Sequence, residues 1–166
     1  MAQQETIEID PTLEAILRTC IDEAKKRLES EGQVVPFSAL AVGKELQMQQ
    51  HSADDPSDSF AAARKRVAAA SKSVKAYAVC YDGFIEVDNK LGEVVQRDCI
   101  IAEGGLSGEE YGHAIGLVYR VDDDGNITFN KNPLYVSKSL NYMASSTLES
   151  SLGIETFTGA AEPDQD

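Results

Sequence analysis

Apolar residues recur at three- and four-residue steps near the start of the chain, as on one face of an α-helix. Asp10 can accept hydrogen bonds from the first backbone N–H groups, and Pro11 suits the first helical position. Gly32 can end the helix in the left-handed conformation. The pattern predicts a helix over Asp10–Glu31, with one apolar stripe formed by Leu13, Ile16, Leu17, Cys20, Ala24 and Leu28.

The next two apolar segments predict a β-hairpin. Val34–Val42 is followed by Gly43-Lys44 and then by Glu45–Gln50, where apolar and polar residues alternate. A short turn between two such segments is typical of a hairpin. Pro36 has no N–H to donate to a ladder, so we expect the first strand to lie at an edge or to be bulged there.

A polar loop then leads into a second helical pattern. Asp58 or Ser57 can cap this helix, which we expect to run to about Lys72. The inward side chains are expected to be Phe60, Ala63, Val67 and Ala70. The same segment contains the basic cluster of the chain, formed by Arg64, Lys65, Arg66 and Lys72.

From Val74 onward, short alternating segments predict a β-meander. Asp82-Gly83 favours a two-residue hairpin turn, because both of its positions accept positive φ. The expected strands are Val74–Tyr81, Phe84–Val87, Asp98–Glu103, Tyr111–Val121 and Ile127–Phe129, with a loop at Asn89–Gly92 and a turn at Asp122–Asn126. A weaker amphipathic segment predicts a terminal helix over Ser139–Leu152.

This order of elements predicts an α+β fold. A hairpin and a meander would form an antiparallel sheet of about five or six strands, with the helices packed on one face. We expect a single domain over residues 1–158 and an acidic flexible tail over residues 159–166. With 166 residues, the chain can bury such a core without disulfide or metal staples.

Charge is unevenly distributed along the chain. The 15 Lys+Arg and 28 Asp+Glu give a net charge of −13. Residues 1–81 contain 12 acids and 10 bases, whereas residues 82–166 contain 16 acids and 5 bases. This acidity argues against nucleic-acid binding, since such proteins neutralise phosphates with Lys and Arg. We expect the basic second helix to complement the acidic half of another copy.

The spacing of the cysteines and the lack of recognisable targeting signals indicate in which cellular compartment we expect the protein. No segment approaches the ~20 apolar residues of a membrane-spanning helix. The first ten residues lack the basic and apolar regions of a secretory signal. Cys20, Cys80 and Cys99 are odd in number and widely spaced, which argues against a disulfide framework. We therefore expect a reduced, cytoplasmic location and no membrane partner.

A glycine-rich segment extends from Gly104 to Gly116. It matches neither the Gly-x-x-x-x-Gly-Lys-Ser/Thr nor the Gly-x-Gly-x-x-Gly pattern of phosphate-binding loops. We interpret it as a hairpin loop whose glycines supply positive φ and bulges. The alternative is a mobile loop that covers a ligand or a partner.

Metal-binding patterns are incomplete. Asp122-x-Asp124-x-Asn126 resembles the start of a calcium loop, but Gly125 stands before the fifth position and Pro133 occupies the twelfth. An acidic hairpin turn is the favoured interpretation. With two histidines and three cysteines, the chain forms neither HExxH nor CxxC. We expect neither a metal nor another cofactor.

Cys80, Glu103 and His113 are the best candidates for catalytic residues. A Cys/His pair can form a nucleophile if the imidazole lies within hydrogen-bond distance of the thiol. Glu103, together with Glu86 on another predicted strand, could support acid–base chemistry. The structural alternative is that Cys80 packs as a small hydrophobic residue and the carboxylates lie on a solvated face.

Tyrosines on the predicted strands are candidates for an interface. If their strands are neighbours, some of Tyr77, Tyr81, Tyr111 and Tyr119 would share one face of the sheet. Tyrosine is favoured at interfaces, because it buries a large area at low entropic cost. The same residues would be equally at home in a buried core.

Together these features favour a non-enzymatic protein-interaction domain, a homodimer whose sheet or first helix mediates association. Its size and acidity would suit an immunity-like or chaperone-like role. The alternative is a small-molecule-binding domain or enzyme with a cleft near the Gly104–Gly112 loop, using Cys80, Glu103 and His113.

Overall fold

The computed structural model describes residues 8–70 and 73–143. Within these residues, two helices and seven strands occur. Their order along the chain is α1 (Pro11–Glu31), β1 (Phe37–Val42), β2 (Glu45–Gln50), α2 (Pro56–Ala68), β3 (Val74–Asp88), β4 (Val94–Leu106), β5 (Tyr111–Val121), β6 (Ile127–Phe129) and β7 (Leu134–Leu140).

All strands belong to one antiparallel sheet. Its order is β2-β1-β3-β4-β5-β6, and β7 pairs with a different part of β5. The predicted α+β class and antiparallel sheet are therefore confirmed. The described sheet has seven strands, more than expected, because the segment before Asn141 forms β7.

Helix α1 forms as its sequence predicts. The Asp10 carboxylate accepts hydrogen bonds from the N–H groups of Thr12 and Leu13, at 2.8 and 3.4 Å. Gly32 ends the helix with φ of 77°, and its N–H donates to the Leu28 carbonyl. The apolar stripe is buried in the largest core of the molecule.

The two helices lie on opposite faces of the sheet, so the expectation of helices on one face is wrong. Helix α1 packs against Ala78 and Cys80 of β3, whereas α2 packs against Tyr77 and Val79 of the same strand. Successive residues of a strand point to opposite faces. Because β3 is continuously apolar over this stretch, both of its faces require a cover.

The turn predicted at Asp82-Gly83 is also wrong. Asp82 pairs with Ile100 in the middle of a continuous β3–β4 ladder, and the chain reverses further on, at residues 89–93. The side chain of Asn89 accepts hydrogen bonds from the N–H groups of Leu91 and Glu93. The turn closed by Asn89, together with the unbroken β3–β4 ladder, outweighs the local preference of Asp82-Gly83 for a turn.

Other boundaries differ from the prediction. Pro36 lies just before β1, which is an inner strand, so the edge-strand expectation is wrong and β2 forms the edge. Asp55, rather than Asp58 or Ser57, caps α2, which ends at Ala68.

The C-terminal predictions are tested only in part. Ser139 and Leu140 belong to β7 instead of the predicted terminal helix, whereas Tyr142 and Met143 are helical as predicted. The part of that helix from residue 144 onward, and the predicted tail at residues 159–166, lie outside the described residues. Among the described residues, no helix combines the length and apolar character needed to span a bilayer.

Candidate functional site

Cys80 lies in the core beneath α1. Its side chain is fully buried, and its thiol donates to the backbone carbonyl of Cys20 at 3.7 Å. Burial raises the pKa of Cys80 well above its ordinary value, and it raises the pKa of Cys20 to about 12. A thiol that is both inaccessible and protonated is a poor nucleophile. This environment supports a packing role for Cys80.

Glu103 lies on the other face of the sheet, in a buried cluster with two tyrosines. Its carboxylate accepts hydrogen bonds from the hydroxyl of Tyr81, at 2.5 Å, and from that of Tyr142. Burial and the charge of Glu103 raise the pKa of both phenols. The Arg64 guanidinium of α2 stacks on the Tyr142 ring, 5.0 Å from its centroid. The cluster thus joins β3, β4, α2 and the residues that follow β7.

His113 lies on the α1 face, near the start of β5. Its Nδ1 is 3.0 Å from the Tyr135 hydroxyl, and it pairs with Lys138 of β7. Burial, followed by the charge of Lys138, lowers the pKa of His113. The imidazole therefore belongs to the β5–β7 border.

The three candidate catalytic residues do not share a cleft. Cys80 and Glu103 point to opposite faces of the sheet. Cys80 and His113 share a face, but β4 separates their strands, which places them at least about 10 Å apart. The enzyme alternative consequently has no shared site for these residues.

The four candidate tyrosines are divided between the two faces of the sheet. Tyr77 and Tyr81 lie on the α2 face, whereas Tyr119 is buried in the core beneath α1. Tyr111 is about half exposed, with the Lys138 ammonium 5.3 Å from its ring centroid. They form no single aromatic patch.

The glycine-rich segment is explained by close packing more than by loop conformation. Only Gly108, in the turn between β4 and β5, has positive φ, at 88°. A Cβ at Gly104 would collide with the backbone carbonyl of Tyr77, and one at Gly112 would collide with the carbonyl of Gly104. These glycines allow β3, β4 and β5 to approach one another closely.

Residue types that bind metals do not cluster in the described part of the chain. No group of three His, Cys, Asp or Glu side chains there is placed to hold an ion. The Asp122 carboxylate accepts hydrogen bonds from the N–H groups of Asp124 and Asn126, both at 2.9 Å. This closes the β5–β6 connection as an acidic turn.

A second polar cluster, which sequence reasoning missed, joins α2 to β1 and to the end of β2. The buried Ser38 hydroxyl is 2.8 Å from both His51 Nε2 and Arg66 Nη1. Because the guanidinium can only donate, the hydroxyl accepts from Arg66, and its own proton is free to be donated to His51 Nε2 when that nitrogen carries no proton. Burial, followed by the positive charge of Arg66, lowers the pKa of His51.

This arrangement predicts a loss of stability in mild acid. Because the pKa values of His51 and His113 are lowered from 6.5 in the fold, the unfolded chain binds more protons below that pH. We expect the free energy of unfolding to fall between about pH 7.5 and 5.5. His51→Gln, whose amide oxygen can still accept from Ser38, should reduce the fall, as measured by urea unfolding at both pH values.

Histidine 113 provides the control for this experiment. His113→Gln should remove a separate part of the pH dependence of stability. The free energy of unfolding of the double variant should therefore change least with pH. Finding the full wild-type dependence in His51→Gln would contradict the role assigned to the Ser38–His51–Arg66 cluster.

Strand β2 forms an open edge of the sheet. Among the described residues it pairs with β1 alone, in a register that runs from Val42 opposite Glu45 to Phe37 opposite Gln50. A two-residue turn makes Val42 and Glu45 a hydrogen-bonded pair, and alternate pairs follow the same pattern. The hydrogen bond from His51 N–H to the Pro36 carbonyl, at 2.9 Å, continues it.

It follows that the N–H and C=O groups of Leu46, Met48 and Gln50 point away from β1. The side chains of Leu46 and Met48 are half-buried on the α1 side. A groove of about 450 Å³ lies at the turn end of the hairpin, between Leu46 and the first turns of α1, where Ala15 and Ile16 contribute to its wall. A largely apolar groove thus lies beside the start of the unpaired strand edge.

The β3–β4 hairpin extends past both helices as an arm, residues 82–98. None of its residues belongs to the described cores that contain α1 or α2. On one face, Ile85 packs toward β5 and β7, and a cavity of about 360 Å³ lies between Ile85, Val87 and β7. The other face of the arm is exposed and is called the arm face below.

Comparisons of this chain with protein-family models, with curated proteins and with solved structures gave no match.

Proposed function

We propose that this chain is a protein-interaction domain that forms a homodimer by antiparallel pairing of β2 with β2 of a second copy. The observation that carries the proposal is the open edge of β2, with its apolar groove. Proteins protect exposed edges with charged side chains, above all lysine, with proline, with bulges or with short length. Apart from Glu45 at its start, β2 contains none of these devices.

The other edges of the described sheet are short or carry charged side chains. Beyond Cys80, β3 pairs with β4 alone, and this part of the strand carries the carboxylates of Asp82, Glu86 and Asp88. Strand β6 has only three residues. Strand β7 carries Lys138, and its pairing with β5 shifts register between Ala114 and Ile115. The contrast supports β2 as the edge that is covered by a partner.

A register centred on Met48 uses the open edge most fully. Met48 would then face Met48 of the second copy, and Leu46 would face Gln50. Each of these outward-pointing pairs can exchange two hydrogen bonds, giving about six in all. The Leu46 and Met48 side chains of both copies would come together beside the groove next to Ile16. An antiparallel edge is self-complementary, which favours a second copy as the partner.

Two further features accompany this proposal. All three cysteines are free and buried, which supports a reduced, cytoplasmic location. The arm projects away from β2 along the strand direction, so it would remain available in the dimer. A non-enzymatic, chaperone-like or immunity-like role would suit a dimer of this kind.

We expect light scattering at about 100 μM to give twice the 18.0 kDa mass of one chain. Met48→Lys should raise the dimer dissociation constant by at least about tenfold, because it places two ammonium groups opposite each other. Gln33→Lys, on an exposed residue between α1 and β1, is the control of equal charge. A monomeric wild-type chain, or a dimer that Met48→Lys leaves intact, would overturn the proposal.

Cysteine cross-linking tests the register independently of dimer strength. The proposed pairing places Gln47 opposite Gln49 of the second copy, with Cα atoms about 4.5 Å apart. The double variant Gln47→Cys, Gln49→Cys should therefore form an intermolecular disulfide under mild oxidation, whereas Gln47→Cys alone should not. The native thiols are buried and should stay unreactive. Efficient cross-linking by the single variant would contradict this register.

A further inference from the structure

The arm face combines exposed apolar side chains with carboxylates. Phe84 and Val94 are 58% and 63% exposed, and Val121 of neighbouring β5 is 52% exposed. Phe84 pairs with Asp98, and Val94 pairs with Asp88, so the members of each pair share a face. Alternation along the strands adds two more carboxylates, those of Asp82 and Glu86.

No basic side chain lies on the described arm face. Arg97 pairs with Ile85 and therefore points to the opposite face of the arm. Lys90 lies in the turn at the tip. Large exposed apolar groups rimmed by charges of one sign are typical of a surface that binds a partner.

The second half of α1 lies near the base of the arm and brings the Lys25 ammonium there. The Lys25 ammonium lies 5.1 Å from the ring centroid of Phe129, which pairs with Tyr119. The Tyr119 hydroxyl in turn donates to the Asp82 carboxylate at 2.7 Å. The last turn of α1 contains no basic residue, and the helix dipole places partial negative charge at this end.

Crowding of carboxylates is also apparent at Asp82. Burial, with a contribution from the negative charge of Asp98, raises the pKa of Asp82, although the Tyr119 hydrogen bond opposes this shift. A cationic group nearby would relieve the repulsion between these two carboxylates.

The position of α1 on the same face of the sheet favours a helix as the occupant of the arm face. Helix α1 packs its apolar stripe on the same face of the sheet and ends where the arm begins. A second helix would continue that layer over the bare part of the sheet. The chain's own residues 144–166 are poorly suited, because they contain five acids and no base. Helix α2 of another copy already uses its apolar side chains against the sheet.

We propose that the arm face binds a basic amphipathic helix of a partner protein, with Phe84, Val94 and Val121 against its apolar stripe and the four carboxylates against its flanking Lys or Arg side chains. This surface is separate from the β2 edge, so the two proposals can fail independently.

A synthetic helical peptide can serve as the probe. The peptide has 18 residues, with leucine along one face and lysine at the other positions, and its binding is measured by fluorescence anisotropy. We expect it to bind, and a matched peptide with glutamate in place of lysine not to bind. Phe84→Ser should weaken binding by about tenfold or more. Glu86→Gln with Asp98→Asn should weaken it about fivefold and reduce its dependence on salt.

Matched variants separate the arm face from general acidity. Leu140→Ser removes another large exposed apolar side chain, and Asp123→Asn with Asp124→Asn removes two exposed charges elsewhere. Both should retain wild-type affinity. The proposal would be overturned by equal losses in these controls, or by no binding of the lysine peptide at about 100 μM. Assembly beyond a dimer that Phe84→Ser abolishes would identify a second copy as the occupant and would also overturn it.

Discussion

Gly104→Ala is expected to destabilise the fold by about 3 kcal/mol or more, and thus to remove much of the stability of a domain of this size. A Cβ at this position would lie well inside van der Waals contact with the Tyr77 carbonyl, and it would meet the Leu17 side chain at 3.1 Å. The carbonyl belongs to the adjacent strand and cannot move without breaking the β3–β4 ladder. Urea unfolding followed by circular dichroism measures the loss.

Gly92→Ala is the control for this prediction. Gly92 has φ of 80°, and a Cβ added there would meet no other atom within 4 Å, so only its backbone conformation resists the change. We expect a cost of about 1 kcal/mol. If Gly104→Ala costs no more than this control, close strand packing is not the reason for glycine at position 104.

Glu103→Ala is expected to destabilise the protein by about 3 kcal/mol, because it leaves the buried hydroxyls of Tyr81 and Tyr142 without their acceptor and opens a cavity. Glu103→Gln should cost less, since the amide oxygen can still accept from one phenol. The exposed Glu86 provides the control, and Glu86→Ala should change stability by no more than about 0.5 kcal/mol. Urea unfolding at pH 7 gives all three values.

A double-mutant cycle identifies the contact responsible. Glu103→Ala and Tyr142→Phe should be strongly non-additive, with a coupling energy of about 1–2 kcal/mol. Additive losses, or a cost for Glu103→Ala that equals that of Glu86→Ala, would show that the cluster does not anchor the residues that follow β7. The coupling matters because Tyr142 is one of these residues and packs against the sheet. Its backbone N–H also donates to the Tyr77 hydroxyl, at 2.9 Å.

Local signals explain which elements could be predicted. Helix α1 and the first hairpin depend on capping residues, a three- to four-residue apolar period and a short turn, all of which act within a few residues. The prediction of a turn at Asp82-Gly83 is wrong because non-local contacts decide the structure there. Its local preference competes with a long ladder and with the Asn89 side chain, and those contacts become available only when β3 and β4 are paired.

The candidate residues could be recognised in the sequence by their chemical type, but the sequence did not show which of them meet in the fold. Glu103 stands out as a carboxylate on an apolar strand, yet its partner Tyr142 is 39 residues away along the chain. Ser38, His51 and Arg66 belong to three separate segments that meet only when α2 covers β1. The open edge of β2 had a recognisable signature in a strand without lysine or proline, but its position at the edge depends on the sheet order.

The sequence by itself determined the α+β class, the first helix and hairpin, and the concentration of acidic charge in residues 82–166, since these follow from local patterns and from composition. Only the tertiary structure decided that the helices cover opposite faces, that Cys80, Glu103 and His113 are separated, and that four of the carboxylates line one face of an arm. The physical reason is that strand alternation fixes which neighbours share a face, whereas strand order and register fix which distant residues meet. Those two properties depend on the whole sheet.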